Sequence, residues 1–181
     1  MANFYIKSIT ATGNNRIESI IDFTDGLNII YEVSDTGKTC VIKCINFIFG
    51  SSALPFDEST GYSKVKMILV AKGGNVSIER ELGKNKMYVF SDNEDIDSGT
   101  YHAKKGKLSI SSVFLRLIGI EGEHQIVKNK DFSTRSLTWR TFVHMFLIKE
   151  TEVFQEESIL LPKVPQDRTA FFFNSESRFN P

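Results

Sequence analysis

The chain has 181 residues, of which 41% are hydrophobic and 24% charged, which is typical of a globular protein with room for one ordinary domain. Its 22 basic and 22 acidic side chains cancel, so bulk charge gives no argument for nucleic-acid binding beyond a local basic patch. The start of the chain lacks the basic stretch and apolar run of a secretory signal, and no apolar run reaches the roughly 20 residues of a membrane span. We therefore expect a cytoplasmic protein with no membrane partner.

The first third of the chain shows the period-two alternation of β-strands. Strands are predicted from Phe4 to Thr10 and from Arg16 to Phe23, with a turn at residues 13–15 between them. After a second turn at Asp25-Gly26, the run from Leu27 to Tyr31 is apolar nearly throughout. Such a run predicts a strand that is buried on both faces.

The period then changes to that of an amphipathic helix, predicted from Gly37 to Phe49. One helical face collects the residues predicted to be buried: Val41, Cys44, Ile45 and Ile48. Cys40 and Cys44 lie four apart on this helix without a second pair or a nearby histidine, so we interpret them as reduced thiols rather than metal ligands.

The remainder of the chain alternates loops, strands and helices. A loop is predicted from Ser51 to Tyr62, and an exposed acidic loop from Asp92 to Ser98. Further strands are predicted at Lys64 to Val70, Asn75 to Leu82 and Lys86 to Ser91, and helices at Ile110 to Leu117 and Leu137 to Leu147. The cluster Phe171 to Phe173 near the last residue suggests that the chain is a piece of a longer protein.

A candidate phosphate-binding loop runs from Glu32 to Thr39, between the predicted buried strand and the amphipathic helix. In such a loop, successive backbone N–H groups surround a phosphate and the helix N-terminus adds unpaired donors. Lys38 would reach the β- and γ-phosphates, and the Thr39 hydroxyl would bind Mg²⁺. The predicted nucleotide-binding residues are Val33, Ser34, Asp35, Thr36, Gly37, Lys38, Thr39 and Cys40.

Glu32 departs from the full P-loop pattern, which has glycine at this position. A carboxylate that faces the phosphates would oppose anion binding, whereas one that turns outward would weaken binding only a little. The alternative interpretation of the segment is a surface turn that caps the helix through Ser34 or Asp35.

The residues from Phe4 to Gly50 resemble the N-terminal lobe of ABC-type ATPases related to structural-maintenance-of-chromosomes proteins and their double-strand-break-repair relatives. The most specific part is the phrase Phe-x-Asp-Gly-Leu-Asn-x-Ile, here residues 23–30, directly before the P-loop. Ile6 to Ile9, Ser34 to Thr39 and Ile42 to Gly50 supply the other matching elements.

The resemblance implies an α/β P-loop NTPase fold, in which an antiparallel β-subdomain packs beside the P-loop helix and a core sheet. It implies that residues 1–181 form one N-terminal lobe of a split ATPase head whose C-terminal lobe supplies the signature and Walker B motifs. Glu150 stands where the family has the glutamine of its Q-loop, with Lys149 and Gln155 as weaker candidates. Lys38 and Glu150 are thus the predicted catalytic residues, and Thr39 and Glu150 the predicted Mg²⁺ ligands.

Three functions remain open at this point. The first is an ATP- and Mg²⁺-binding lobe that hydrolyses ATP only with its C-terminal lobe and a second head, as a head-to-head homodimer. The resemblance alone implies DNA as a partner, in repair, chromosome maintenance or defence. The second is a degenerate P-loop module that acts in dimerisation or partner binding without nucleotide. The third, a complete small P-loop kinase or GTPase, is disfavoured because no Walker B acid follows a second buried strand.

Overall fold

A six-stranded antiparallel sheet organises the N-terminal part of the chain, with the strand order β2-β1-β3-β4-β5-β6. The computed structural model describes residues 4–31, 33, 37–104, 108–128 and 131–148. The chain divides into two compact units between Ile120 and Glu121. The strands of the first sheet are β1 (Phe4–Thr12), β2 (Ser19–Asp22), β3 (Lys64–Ala71), β4 (Gly74–Glu81), β5 (Lys86–Ser91) and β6 (Gly99–His102).

One face of this sheet is buried, and burial of the side chains alternates with period two along the central strands. The inward positions of β3, β4 and β5 are Val65, Met67, Leu69, Val76, Ile78, Arg80, Met87 and Val89, all at most 4% exposed. Cross-strand partners share a face in an antiparallel pair, and the register aligns Met67 with Ile78 and Ile78 with Val89. The hydrophobic pattern therefore fixes both the register and the buried side.

Two helices, α1 (Lys38–Ile48) and α2 (Ile110–Leu117), enclose the core of the first unit. α1 packs against β1, β3 and β4. Phe114 of α2 lies in edge-to-face contact with Phe49, at 4.8 Å between ring centroids, and its ring also lies 6.5 Å from that of Phe4. The last turn of α1 is the most deeply buried part of the helix, with Phe47 at 1% and Ile48 at 0% exposure.

Most of the predicted strands and helices of the first unit are confirmed within a few residues. β3, β4, β5, α1 and α2 all lie where their periodicity predicts them. The second strand is shorter than predicted, and β6 was not predicted. The segment from Asp92 to Ser98 is a loop, but its Asn93 and Ile96 side chains are buried rather than exposed.

The strand predicted from Leu27 to Tyr31 is wrong in the described structure, where these residues belong to no strand. Leu27 is 87% exposed and Tyr31 86% exposed. An apolar run becomes a buried strand only if neighbouring strands pair with its backbone and other layers cover its side chains. The described residues of the first unit supply neither.

The second unit has a two-stranded antiparallel sheet, formed by β7 (Gln125–Val127) and β8 (Thr134–Ser136). The helix predicted from Leu137 to Leu147 is confirmed only in part. It is replaced by a 3-10 turn at Trp139–Thr141 and one α-helical turn, α3 (Val143–Phe146). Trp139 is 1% exposed and stacks on Phe146 at 5.2 Å, so packing of the indole rather than a continuous helical face organises this segment.

Candidate nucleotide-binding loop

The turn that leads to the loop is built by a single asparagine. The Asn28 side chain accepts a hydrogen bond from the Thr24 N–H at 2.9 Å and donates to the carbonyl oxygens of Thr24 at 2.8 Å and Gly26 at 3.0 Å. Gly26 has φ 97°, a left-handed conformation that favours glycine. The turn is therefore held by its own residues, although all of them are exposed to solvent.

The apolar run after this turn is open to solvent. Leu27, Ile29, Tyr31 and Val33 have exposures of 87%, 74%, 86% and 69%. Scattered exposed apolar residues are ordinary on a protein surface, whereas these exposed apolar residues follow one another closely in the chain. This run is contiguous in sequence with the candidate phosphate-binding residues.

Gly37 forms the junction between the loop and α1. It has φ 90° and ψ 8°, and a Cβ at this position would have no heavy atom within 4 Å. The amide of Cys40 donates to the Gly37 carbonyl at 2.8 Å and closes the first turn. The N-cap makes no side-chain hydrogen bond, and the first turn of α1 contains no acidic residue. The positive end of the helix dipole therefore lies beside Gly37, and no acidic side chain of the first turn of α1 neutralises it.

Lys38 extends back over the loop. Its Nζ donates a hydrogen bond to the Val33 carbonyl oxygen at 2.6 Å, which joins residues five positions apart in the chain. This contact holds the ammonium group beside Val33, a residue of the candidate phosphate-binding loop.

The next residues of the helix differ in exposure. Thr39 is exposed and Cys40 half-buried, while Cys44 one turn later is buried. Burial raises the pKa of the Cys44 thiol to about 12, and the nearby Cys40 adds to this effect. Cys44 is therefore a protonated core thiol, as the sequence predicts, and Cys40 lies close to the candidate site.

Several predicted site residues lie outside the described residues: Glu32, Ser34, Asp35, Thr36, Lys149, Glu150 and Gln155. Their predicted roles stay predictions, as does the helix-capping alternative through Ser34 or Asp35. Among the residues that the structure describes, no group of three or more His, Cys, Asp or Glu side chains is arranged to hold a metal ion. A P-loop Mg²⁺ does not require three such side chains, because a hydroxyl, phosphate oxygens, water and one or two carboxylates hold it.

Sequence reasoning missed one polar residue next to α1. Arg80 stands at an inward position of β4 and is only 4% exposed. Its guanidinium contacts the C-terminal end of α1, opposite to the candidate loop. The inward direction of Arg80 could have been predicted from the alternation of β4. Arg80 follows Val76 and Ile78 at steps of two residues, so it lies on the same face of the strand as these apolar residues.

Comparison of the chain with protein-family models, curated proteins and solved structures finds no match. No relative therefore assigns a role to a residue of the loop. In the described part of the chain, no helix combines the length and apolar character that crossing a bilayer requires.

Proposed function

We propose that this chain is the ATP-binding N-terminal lobe of an ABC-type ATPase head related to structural-maintenance-of-chromosomes proteins. It binds Mg²⁺-ATP through the loop before α1 and hydrolyses ATP only when a C-terminal lobe and a second head complete the site. The proposed setting is cytoplasmic DNA repair, chromosome maintenance or DNA defence. The DNA-related part rests on the resemblance of residues 4–50 alone.

The start of α1 carries the proposal. A left-handed glycine, a lysine whose amine lies on the loop and an exposed threonine follow one another at an open helix N-terminus. A surface turn that only begins a helix has no need for this combination. The donors are the type that phosphate oxygens require, namely backbone N–H groups and a flexible ammonium.

Each residue has a distinct part in the proposed binding step. Lys38 leaves the Val33 carbonyl and donates to β- and γ-phosphate oxygens. Gly37 has no Cβ to block the approach of phosphate to the backbone. Thr39 presents its hydroxyl where Mg²⁺ would bind, and Mg²⁺ when bound neutralises charge on the phosphate oxygens. Glu150 remains the proposed further Mg²⁺ ligand and water-positioning residue.

The exposed run from Leu27 to Val33 supports the split-head part of the proposal. The resemblance implies that a C-terminal lobe completes the ATPase head. A segment that is strand-like in sequence and exposed in isolation is the pattern expected when the neighbouring strands belong to another lobe.

The same exposed run favours a second candidate, a module that docks on a partner without nucleotide. Leu27, Ile29 and Tyr31 present apolar surface whether or not the loop binds a phosphate. Glu32 would then account for a weakened anion site. The two candidates differ in one measurable property, which is binding of ATP that depends on Lys38.

Calorimetric titration with ATP and Mg²⁺ tests the proposal on the 181-residue chain and on Lys38→Ala. We expect Lys38→Ala to weaken binding at least tenfold, about 1.4 kcal/mol or more, because the phosphate contacts of the ammonium are lost. Lys43→Ala is the matched control, since Lys43 is an exposed lysine of the same helix, five residues further along the chain. Its affinity should be unchanged.

Equal binding by wild type and Lys38→Ala would contradict the proposed site. Absence of binding at millimolar ATP would shift the test to Glu32→Gly, which restores the glycine of the full motif. Binding by Glu32→Gly would identify a loop disabled by its carboxylate and favour the docking module. If Glu32→Gly does not bind ATP either, the remaining explanation is a nucleotide site that requires the C-terminal lobe.

A further inference from the structure

Arg80 makes an unusual set of contacts for a residue in the core of the sheet. Its Nη1 donates to the carbonyl oxygens of Phe47 at 2.6 Å and Ser51 at 2.7 Å, and its Nε donates to the Lys84 carbonyl at 3.0 Å. The guanidinium carbon lies 3.9 Å from the centroid of the Phe47 ring. One side chain of β4 thus contacts both the last turn of α1 and Ser51, three residues beyond the end of the helix.

The charge of Arg80 is balanced by dipoles rather than by an acid. Within the described residues, no carboxylate forms a salt bridge with Arg80. Burial lowers the pKa of its guanidinium to about 10, so it stays charged at neutral pH. The carbonyl groups at a helix C-terminus carry partial negative charge, and the face of an aromatic ring attracts a cation. Both compensate part of the cost of taking the guanidinium out of water.

An apolar residue would fill the same position at lower desolvation cost, but it would not hold the helix in place. Apolar contacts are non-directional, and the apolar face of α1 alone permits small sliding and tilting movements. Hydrogen bonds from a planar guanidinium restrict both distance and angle. Arg80 therefore fixes the C-terminal end of α1 relative to β4.

A small tilt of α1 at its C-terminal end displaces its N-terminal end by a larger distance. α1 has 11 residues and is about 16 Å long, so a tilt of about 10° around its C-terminal end displaces its first turn by about 3 Å. A displacement of that size breaks hydrogen bonds between the loop and a bound phosphate. The first turn contains Lys38 and Thr39.

We propose that Arg80 is a positioning residue for the phosphate-binding loop, which anchors α1 to β4 so that Lys38 and Thr39 stay in binding position. This inference rests on the proposed function for the identity of the ligand. It predicts that nucleotide affinity depends on a residue at the opposite end of α1 from the candidate phosphate-binding residues.

The test compares ATP affinity in three variants of the full chain, each measured well below its unfolding temperature. We expect Arg80→Met to weaken ATP binding about tenfold or more, and Arg80→Lys, which keeps the charge but not the planar fork, about threefold. Val89→Ala is the control for stability alone, because Val89 is buried on the neighbouring strand β5. Its affinity should stay within about twofold of wild type although its core is weakened.

Hydrogen exchange of the nucleotide-free protein separates this inference from the proposed function. Arg80→Met should accelerate exchange of the Cys40 amide, whose hydrogen bond to the Gly37 carbonyl oxygen closes the first turn of α1, whereas Val89→Ala should not. If wild type binds no ATP, the proposed function is decided by the Glu32→Gly test, and the exchange rates still decide whether Arg80 positions the helix start. The inference would be overturned if Arg80→Met kept the ATP affinity or the exchange rates of wild type. It would also be overturned if Val89→Ala lost as much affinity as Arg80→Met. If Arg80→Met does not fold, wild-type values in Arg80→Lys overturn it.

Discussion

The two ends of α1 lie in opposite surroundings. At the C-terminal end, Phe47 and Ile48 are at most 1% exposed and Arg80 binds the last turn. At the N-terminal end, Gly37 and Thr39 are exposed, and the apolar run before them is open to solvent. The helix is therefore anchored in the core at one end and begins with exposed residues at the other.

This contrast assigns stability and binding to different parts of one helix. Burial of apolar side chains stabilises the fold and requires neighbours on every side. Anion binding requires donors that the fold leaves accessible. An exposed helix N-terminus on a buried helix meets both requirements, and three measurements test whether the division is real.

The largest effect should follow from removing a core aromatic residue. Phe114 is 0% exposed and contacts Phe49, so Phe114→Ala should lower the free energy of unfolding by about 3–5 kcal/mol. Leu27→Ala in the exposed run should change it by less than about 0.5 kcal/mol. Urea unfolding followed by circular dichroism measures both. A loss above about 1 kcal/mol for Leu27→Ala would mean that the run is buried in solution.

A moderate effect on the free energy of unfolding is expected for a substitution of Gly37, where the loop joins α1. Gly37→Ala places a Cβ on a residue with φ 90°, which should cost about 1–2 kcal/mol in the free energy of unfolding. Gly99→Ala is the matched control, because Gly99 lies in β6 without a left-handed φ and has open space for a Cβ. It should leave stability unchanged or raise it by up to about 1 kcal/mol. An unaltered stability in Gly37→Ala would show that the loop relaxes to another conformation.

The last effect should appear as a pH dependence of the free energy of unfolding, and over a single pH unit it is no larger than the effect of Gly37→Ala. The pKa of Cys44 is raised from 9.0 to about 12, so the folded state favours the protonated thiol. Its contribution to stability is fully present below pH 9 and is lost between pH 9 and pH 12. The loss amounts to at most about 1.4 kcal/mol for each pH unit.

Comparison of wild type with Cys44→Val isolates this contribution, since the other groups that titrate at high pH are common to both. Cys40→Val should keep most of the pH dependence, because burial is the larger cause of the raised pKa. Identical pH profiles for wild type and Cys44→Val would show that the Cys44 thiol is accessible to water.

Local periodicity predicted much of the first unit from sequence. β3, β4 and β5 alternate with period two over six to eight residues, and α1 and α2 repeat with the helical period. β6 was missed because it has four residues and only one of them, Tyr101, is buried. An alternation that short cannot be distinguished from a loop.

Prediction of the candidate site was limited by contacts that are distant in the chain. The order glycine, lysine, threonine at the start of a helix was readable from sequence because capping and helix patterns are local. The role of Arg80 was not, since its partner Phe47 lies 33 positions away. The same limit explains the wrong strand at residues 27–31, whose apolar pattern does not say whether partner strands are present.

The sequence by itself determined the alternating strands of the sheet, the amphipathic helix after Gly37 and the chemical character of the loop before it. These features follow from the side-chain repeats of strand and helix, which involve only residues that are close together in the chain. Only the tertiary structure decided that Arg80 holds the end of α1 and that Leu27 to Tyr31 stand open to solvent. Burial depends on which distant residues occupy the surrounding space, and that is a property of the packed chain rather than of any segment.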